Sequence, residues 1–300
     1  MSHVHVTIPA SSANLGPGFD TLGLALGLRN TVEAEIIDRG LTVEIHGEGA
    51  SALPRDASNT VARAAYRVYE RVGADAPPLT FTLTNLIPPG SGLGSSAAAI
   101  LGGMLAANSL LDNALSRDEI LRLAVDMEGH PDNACAAMLG GLVIASRGDE
   151  GLIYRRARVA PMQVAIAMPD VHALTEELRA LLPKSVLLAD AAINIGRAAL
   201  VVQALIEGDY DLLGEAMHDR LHEPYRKAAI PGYNQAALAG LEAGAAAVAI
   251  SGSGPALIAF APEGHADIAR AMGEAFERAT EKPARTWTLP VETQGAQVAA

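Results

Sequence analysis

The chain has 300 residues, of which half are hydrophobic and 19% are charged, so it carries enough apolar material for a substantial core and is not a disordered protein. Its 22 Lys and Arg residues against 34 Asp and Glu residues give a net charge of −12, which disfavours binding to nucleic acid or to an anionic membrane surface. Cys135 is the single cysteine, so no internal disulfide can form. We expect a soluble cytoplasmic protein of one large or two ordinary domains, with no targeting segment.

The first part of the chain alternates between strand-like and helix-like patterns. Residues 4–8 alternate as a strand that Pro9 is expected to end, and a small-residue loop is expected over residues 10–20. Strands are predicted over residues 22–28, 31–37, 41–45 and 79–84, and an amphipathic helix over residues 59–72.

A glycine-rich stretch over residues 88–98 separates the strand at 79–84 from a helix predicted over residues 97–111. Its glycines allow positive φ angles and let a ligand approach the bare backbone. Ser95 or Ser96 is expected to cap the helix, whose first N–H groups carry partial positive charge. A tight turn with a capped helix is one interpretation, but three glycines, a Ser-Ser pair and Pro-Pro exceed what a turn needs and favour a phosphate-binding loop. The stretch lacks the Gly-Lys-Ser/Thr of the lysine-bearing phosphate loop and does not fit the dinucleotide fingerprint.

The stretch after this loop contains a second polar cluster. Ser116 and Glu119 have the spacing of a capping box, so a helix is predicted over residues 118–127. It ends at Glu-Gly-His-Pro-Asp-Asn over residues 128–133, and a strand is predicted over residues 142–146. The pattern changes near residue 150, and we place a domain boundary between residues 153 and 154.

The second half mixes strands and helices again. Strands are predicted over residues 164–168, 246–250, 256–260 and 284–289, and helices over residues 175–182, 190–206, 210–217, 234–243 and 265–280. The apolar run at 189–206 is interrupted by Asp190, Asn194 and Arg197, which disfavours a membrane span. Two α+β domains, residues 1–153 and 154–300, are the expected organisation.

Three motifs of the chain resemble those of the GHMP kinases, a family of small-molecule kinases, and they follow each other in the family's order. The glycine loop is similar to the family's Pro-x-x-x-Gly-Leu-Gly-Ser-Ser-Ala, and Ser-Gly-Ser-Gly-Pro at 251–255 is similar to its third motif, which packs a glycine loop against the active site. The opening segment, Pro-Ala-Ser-Ser-Ala-Asn-Leu-Gly-Pro-Gly-Phe-Asp at 9–20, resembles the homoserine kinases within that family. The resemblance spans nearly the whole chain and implies an S5-like first domain and a ferredoxin-like second one.

The resemblance implies ATP and Mg²⁺ as cofactors. Nucleotide phosphates are expected on the glycine loop, whose residues are Pro88, Pro89, Gly90, Ser91, Gly92, Leu93, Gly94, Ser95, Ser96, Ala97 and Ala98. Ser96 and Glu128 are the implied metal ligands, since Mg²⁺ prefers hard oxygen atoms. By itself, Glu128 also fits a solvated acid at a helix end.

The acceptor implied by the resemblance is the hydroxyl group of a small amino acid. Asn14, Asp20, His130 and Asn133 are expected to face it, with Asp20, Glu128, His130 and Asn133 as the catalytic set and Asp20 orienting the reacting hydroxyl. Arg179, in Thr175…Arg179…Leu182-Pro183, and Arg226, in His-Glu-Pro-Tyr-Arg, are expected to pair with the carboxylate, because guanidinium groups pair bidentately. Without the motifs, each arginine would be interpreted as a member of a surface ion pair. Asn14 and Asp20 would be interpreted as loop residues whose side chains hydrogen-bond to the nearby backbone in turns.

The expected activity is therefore ATP-dependent phosphorylation of L-homoserine in threonine biosynthesis, by a homodimer that binds neither nucleic acid nor membrane. A kinase for mevalonate or a diphosphocytidyl-methylerythritol is the nearest alternative, and a nucleotide-sensing protein without turnover is the second. We also expect Gly92→Val to abolish nucleotide binding while leaving the fold largely intact, because a branched side chain would occupy the phosphate position.

Overall fold

The computed structural model describes residues 2–171 and 175–299, and the side chains of Thr175 and Glu176 lie outside the described part. The strands are His3–Ala13 (β1), Leu22–Ile36 (β2), Leu41–Gly47 (β3), Leu79–Asn85 (β4), Leu142–Gly148 (β5), Gly151–Ala157 (β6), Gln163–Pro169 (β7), Ala247–Ile250 (β8), Leu257–Phe260 (β9), Ala284–Pro290 (β10) and Gln297–Ala299 (β11). The helices are Thr60–Val72 (α1), Ser95–Leu110 (α2), Arg117–Glu128 (α3), Asp132–Leu139 (α4), Thr175–Ala180 (α5), Leu188–Glu207 (α6), Tyr210–Ala216 (α7), Glu223–Arg226 (α8), Tyr233–Glu242 (α9) and His265–Thr280 (α10).

The strands form two sheets. The larger has the order β11-β1-β2-β4-β3, with β5 paired to β2 and β6 to β5. All its pairs are antiparallel except β3 with β4, which is parallel. The smaller sheet has the order β10-β7-β9-β8 and is antiparallel throughout. Apolar residues of β7 and β9, together with α9 and α10, form a second core beside the smaller sheet.

Local signals set the ends of the helices that pack on the larger sheet. Asn59 caps α1 by accepting a hydrogen bond from the Val61 amide (2.9 Å), and the predicted capping box between Ser116 and Glu119 is present at α3. Helix α2 is buried along almost its whole length and packs closely against α1. At Gly103 a Cβ atom would lie 2.1 Å from the Val61 carbonyl oxygen, so only glycine fits there.

Strand β1 does not stop at Pro9, contrary to the sequence prediction. It continues to Ala13, and the pairing with β2 shifts between Pro9 and Ala10. A proline has no N–H group to donate, and such an irregularity is where a sheet tolerates one. Strand β2 is likewise one long strand where two were predicted, and α4, β6, α8 and β11 were not predicted.

The end of the chain returns to the larger sheet. Strand β11 pairs with β1, Arg117 donates to the Ala296 carbonyl oxygen (2.9 Å), and Arg29 forms an ion pair with Glu292 (2.9 Å). Strand β6 crosses the boundary placed between residues 153 and 154 and pairs with β5 along its length. The division into residues 1–153 and 154–300 remains a prediction.

Among the described residues, helix α6 is long and apolar enough, by length and composition, to cross a membrane. The interruptions noted in its sequence tie it to the rest of the fold. The Asn194 side chain is buried and donates to the Pro17 carbonyl oxygen (3.0 Å) and to Asp219 (2.8 Å), and Arg197 donates to the His218 carbonyl oxygen (3.0 Å). The opposite face of α6 is exposed.

Candidate active site

An open cleft of about 560 Å³ lies where the glycine loop meets the opening segment and the second half of the chain. Its lining includes most of the residues singled out from the sequence, namely Asn14, Asp20, Gly90, Ser91, Gly92, Gly94, Ser95, Ser96, Glu128, His130, Asn133, Arg179 and Arg226. The structure therefore brings together groups from residue 14 to residue 226 in one place.

The amino-terminal end of α2 faces this cleft. Helix α2 begins at Ser95, and Gly94 takes the cap position with φ 74° and no side-chain hydrogen bond to the helix. The expectation that Ser95 or Ser96 caps the helix is thus wrong, because both serines already lie in its first turn. Ser96 lines the cleft instead, so the first N–H groups of α2 remain available to an anion.

Gly92 packs against the loop at residues 251–254. Its φ is +82°, and a Cβ atom there would lie 2.2 Å from the Ser251 carbonyl oxygen and 2.9 Å from that of Gly254. Ser251 Oγ donates to the Gly92 carbonyl oxygen (2.8 Å), so the expected packing of the third motif against the glycine loop is confirmed. The expectation that Gly92→Val leaves the fold largely intact is wrong, because the added side chain would strike backbone atoms of this second loop.

The remaining loop residues differ in what they contact. Pro88, Leu93, Ala97 and Ala98 are buried and pack beneath the loop. Pro89 lines a second open cleft of about 640 Å³, which adjoins the first through Gly90, Ser95 and Ser96. Its other lining residues are a mixture of apolar and amide side chains, namely Asn30, Leu53, Pro54, Asn59, Thr60, Val61, Leu83, Asn85 and Ala99.

Ser96 and Glu128 form a direct contact at the end of the cleft nearest α2. Ser96 Oγ donates to Glu128 Oε2 (2.8 Å), and the Glu128 side chain is only 9% exposed. Burial raises the pKa of Glu128, although His130 and the Ser96 hydrogen bond act in the opposite direction. In the described part of the chain no three His, Cys, Asp or Glu residues converge into a metal site.

His130 and Asn133 are held in place by buried neighbours. His130 Nδ1 lies 2.9 Å from Asp132 Oδ1, and Asn133 Oδ1 accepts from Ser11 Oγ (2.9 Å). Burial alone would lower the pKa of His130, but the hydrogen bond to Asp132 and the nearby carboxylates outweigh burial and raise it. The imidazole therefore carries more positive charge near neutral pH than a free histidine does.

Arg179 and Asp20 pair with each other inside the cleft. Arg179 donates two hydrogen bonds to the Asp20 carboxylate, at 2.7 and 3.0 Å. Asn14 fixes the same loop by accepting from the Asp20 amide (3.0 Å) and donating to the Gly252 carbonyl oxygen (2.6 Å). Two groups that the resemblance assigns to different parts of a substrate thus contact each other directly.

Arg226 is buried and incompletely bonded. It is 2% exposed, its Nη1 donates to the Gly252 carbonyl oxygen and to His222 Nδ1 at 3.3 Å each, and its Nε has no partner. Since His222 Nδ1 accepts, His222 Nε2 carries the proton and donates to the Gly16 carbonyl oxygen (2.8 Å). Burial lowers the pKa of Arg226, and the nearby Arg179 lowers it further. A guanidinium stays charged at neutral pH, so this group attracts an anion.

Comparison with known proteins decides the family. Residues 59–141 match the model of the GHMP kinases N terminal domain, and residues 201–278 match that of the GHMP kinases C terminal. The homoserine kinase of Carboxydothermus hydrogenoformans is 43% identical over 91% of this chain and 90% of its own length, and that of Desulfitobacterium hafniense is 40% identical over 98% and 99%. The crystal structure of homoserine kinase from Cytophaga hutchinsonii superposes with a TM-score of 0.86, at 31% identity, over 100% of this chain and 98% of that one.

The chain belongs to the GHMP kinases. The resemblance inferred from its motifs and the expected two-domain α+β GHMP kinase fold are both confirmed. Membership of this family makes the chain an enzyme that uses ATP. The roles given to single residues remain predictions.

Several residues of the cleft region were not singled out from the sequence. Phe19, Asp132, His222 and Ser11 all lie inside the quoted motifs, so their positions carried a signal that was not used. The bond from Ser11 to Asn133, 122 residues further along the chain, depends on the fold and could not be predicted from that position.

Proposed function

We propose that this GHMP kinase transfers the γ-phosphoryl group of ATP to the side-chain hydroxyl of L-homoserine, giving O-phospho-L-homoserine for threonine biosynthesis. One observation carries the proposal. The cleft has uncapped N–H groups of α2 on one side and two guanidinium groups, of Arg179 and Arg226, on the other. Such a cleft fits a polyphosphate and an amino-acid carboxylate together.

The nucleotide is proposed to occupy both clefts. Its phosphates would lie at Gly90–Ser96 and the first turn of α2, where backbone N–H groups and the helix dipole favour negative charge. Its base and ribose would lie in the adjoining 640 Å³ cleft, where Leu53, Pro54 and Val61 offer apolar contacts.

Mg²⁺ is proposed to bind at Ser96 and Glu128. A hydroxyl and a carboxylate 2.8 Å apart are hard oxygen ligands at the end of the phosphate region, and Mg²⁺ commonly takes one or two protein ligands and completes its shell with phosphate and water. When bound, the ion supplies neutralisation of charge on the transferred phosphoryl group. Burial disfavours the charged form of Glu128 and so raises its pKa. A cation beside the carboxylate would stabilise that charged form.

L-Homoserine is proposed to replace the internal ion pair of the cleft. Its carboxylate would take the guanidinium groups of Arg179 and Arg226, which frees Asp20 to orient the hydroxyl. His130 and Asn133 would contact the same molecule from the α4 side. In the transfer, the hydroxyl oxygen forms a bond to the γ-phosphorus and its proton passes to solvent water, while the bond from that phosphorus to the bridging oxygen breaks and ADP leaves.

A homodimer is proposed on the exposed face of α6. Uncharged residues form a continuous stripe along it, at Leu188, Ala192, Ile195, Ala199 and Ile206, and Leu188 and Ile195 are 85% and 73% exposed. A twofold axis beside Ile195 would bring this stripe against the same stripe of a second copy. The hydrogen bonds of Asn194 and Arg197 to the rest of the fold disfavour a membrane as the partner of α6.

We also propose a cytoplasmic location, because a reducing compartment suits a chain without disulfides.

A panel of hydroxyl compounds tests the function. The purified enzyme with ATP and Mg²⁺ should consume ATP with L-homoserine, and only weakly with mevalonate or 4-diphosphocytidyl-methylerythritol. Replacing both Arg179 and Arg226 with Ala should abolish binding of homoserine, whereas an acceptor without a carboxylate would be unaffected. Nucleotide binding without phosphate transfer to any compound would support the sensing alternative and contradict the proposal.

A further inference from the structure

Phe19 lies where the carboxylate-binding groups of the cleft meet. The Cζ atoms of Arg226 and Arg179 lie 5.4 and 5.5 Å from the centre of its ring, within cation–π range. The His222 ring stacks on it, with centroids 5.2 Å apart and planes 27° from parallel. One aromatic ring in the opening loop therefore contacts three groups that come from the second half of the chain.

The two guanidinium groups need such a neighbour because they repel each other. Asp20 compensates the charge of Arg179 through two hydrogen bonds. The described contacts of Arg226 include no carboxylate within ion-pair distance, and Asp20, Asp132 and Asp219 act on it only from further away. Its two hydrogen bonds are long, and its Nε is unpartnered. For a buried cation of this kind the electron-rich face of an aromatic ring is a substantial attraction, since cation–π contacts strengthen when water is excluded.

His222 links the ring to Arg226. It accepts from Arg226 Nη1 and donates to the Gly16 carbonyl oxygen, which lies in the same loop as Phe19. Burial lowers the pKa of His222, so the imidazole stays neutral and adds no further positive charge to the cluster. Asp219, fully buried behind His222, fixes the start of α8 by accepting from the His222 and Glu223 amides (2.7 Å each).

We infer that Phe19 is a positioning residue that holds the guanidinium groups of Arg179 and Arg226 at the spacing that a substrate carboxylate requires. It acts on the affinity for the amino acid through the two arginines. The transfer step itself does not involve it, so its effect belongs in the KM for homoserine rather than in kcat. This inference rests on the proposed function for the identity of the substrate, but the arrangement of the arginines can be measured without any substrate.

A fluorination series at position 19 separates ring electrostatics from packing. Phe, 4-fluoro-Phe, 3,5-difluoro-Phe and 3,4,5-trifluoro-Phe have nearly the same shape, but each fluorine weakens the negative face of the ring. The KM for homoserine should rise stepwise along the series, by about 10-fold or more at the last member, while kcat and the KM for ATP change less than about 2-fold. Phe19→Tyr should behave like the parent. A KM for homoserine that stays flat along the series would overturn the inference.

A matched control uses a cation–π contact at a different aromatic ring of the described residues. Arg285 Cζ lies 4.8 Å from the Trp287 ring, outside the cleft. Trp287→Leu should therefore leave the KM for homoserine unchanged, and an equal rise there would show that loss of any such contact is felt at the site, which contradicts a specific role for Phe19.

The Nε–Hε NMR signals of arginine, measured without substrate, test the role of Phe19 separately from the proposed homoserine kinase activity. Those of Arg226 and Arg179 should shift progressively, and their hydrogen exchange should accelerate, as fluorines are added at position 19. Unchanged signals would overturn the inference even if homoserine is the substrate. If the parent enzyme does not phosphorylate homoserine, the proposed function fails, and these signals alone decide whether Phe19 orders the two arginines.

Discussion

Arg179 and Asp20, 159 residues apart in the chain, form an ion pair of two hydrogen bonds inside the cleft. Both side chains are partly exposed, 42% and 31% respectively, so the pair is solvated and can exchange partners at modest cost. In the proposed binding mode, homoserine replaces this pair group for group, with its carboxylate at Arg179 and its hydroxyl at Asp20.

Substituting Arg179 tests this exchange. Arg179→Lys keeps the charge but loses the planar fork, so we expect the KM for homoserine to rise about 10-fold or more with a smaller change in kcat. Arg147→Lys is the matched control, because Arg147 forms a similar ion pair with Asp126 (2.8 Å) outside the cleft lining. Steady-state kinetics with varied homoserine measures both. Equal KM values for the two variants would contradict the assignment of Arg179 to the carboxylate.

Glu128→Gln tests the proposed cation site. The amide keeps the size of the side chain and can accept from Ser96 Oγ, but it removes the charge that a magnesium ion would balance. We expect kcat to fall by roughly 10²-fold, the usual scale for one electrostatic contact to the reacting groups, and the Mg²⁺ concentration for half activity to rise. Asp126→Asn, on the same helix but exposed, should leave both values unchanged. Unaltered Mg²⁺ dependence in the Glu128 variant would argue against the site.

Gly92→Ala should destabilise the fold because the glycine loop touches the second half there. Both Gly92 and Gly73 have positive φ, but a Cβ atom at Gly73 meets nothing within 4 Å, whereas at Gly92 it meets a backbone carbonyl oxygen. Gly73→Ala should therefore lower the free energy of unfolding only by the cost of placing a residue with a Cβ atom at positive φ, about 1–2 kcal/mol. Gly92→Ala should cost about 3 kcal/mol or more, because overpacking adds to that term. Urea denaturation measures both, and equal losses would show that the contact is unimportant.

The elements that were predicted correctly are those with strong local signals. Ser116 and Glu119 mark a helix start whose hydrogen bonds close within three residues, so the sequence alone identifies it. The glycine loop and the arginines were found by motif, and the cleft contains them. The prediction that β1 ends at Pro9 was wrong because the strand tolerates this proline through its irregular pairing with β2. A local sequence pattern does not contain that relation between two strands.

The contacts that were missed join residues far apart in the chain. Neither the pairing of Asp20 with Arg179 nor the cluster at Phe19 follows from spacing, because each depends on how the two halves meet. The cap of α2 was misassigned for a related reason. Ser95 and Ser96 have the right chemistry for a cap, but the backbone conformation of Gly94 starts the helix before them.

Glu223 should make stability depend on pH. It is buried on α8, accepts from the Ile250 amide (2.7 Å), and burial raises its pKa to about 8. In the unfolded chain a glutamate titrates near 4.5. Between those values the folded state holds a proton that the unfolded state has lost, so the free energy of unfolding should decline as the pH rises from about 4.5 to about 8, by up to about 1.4 kcal/mol per pH unit.

Glu223→Gln removes this titration while keeping an oxygen that can accept from Ile250. The variant should be close to the parent in stability at pH 5 and more stable than the parent at pH 8. Thermal denaturation across this range measures the difference. A variant that lost the same stability as the parent between pH 5 and 8 would show that the decline has another origin.

Ile195→Lys should break the proposed dimer. It places a charge near the centre of the exposed stripe on α6, where the twofold axis would bring it against its own copy. Leu238→Lys, at a leucine that is 55% exposed on α9, is the matched control and should stay dimeric. Sedimentation velocity at micromolar concentration distinguishes the two forms. A parent enzyme that sediments as a monomer, or binds to vesicles through α6, would refute the dimer.

A crystal structure with a non-hydrolysable ATP analogue, Mg²⁺ and L-homoserine tests the central claim most directly. We expect the triphosphate at the first turn of α2, and the homoserine carboxylate within hydrogen-bond distance of the Arg179 and Arg226 guanidinium groups, with the Arg179–Asp20 pair opened. A triphosphate bound away from residues 90–96, or guanidinium groups without contact to the amino acid, would contradict the account.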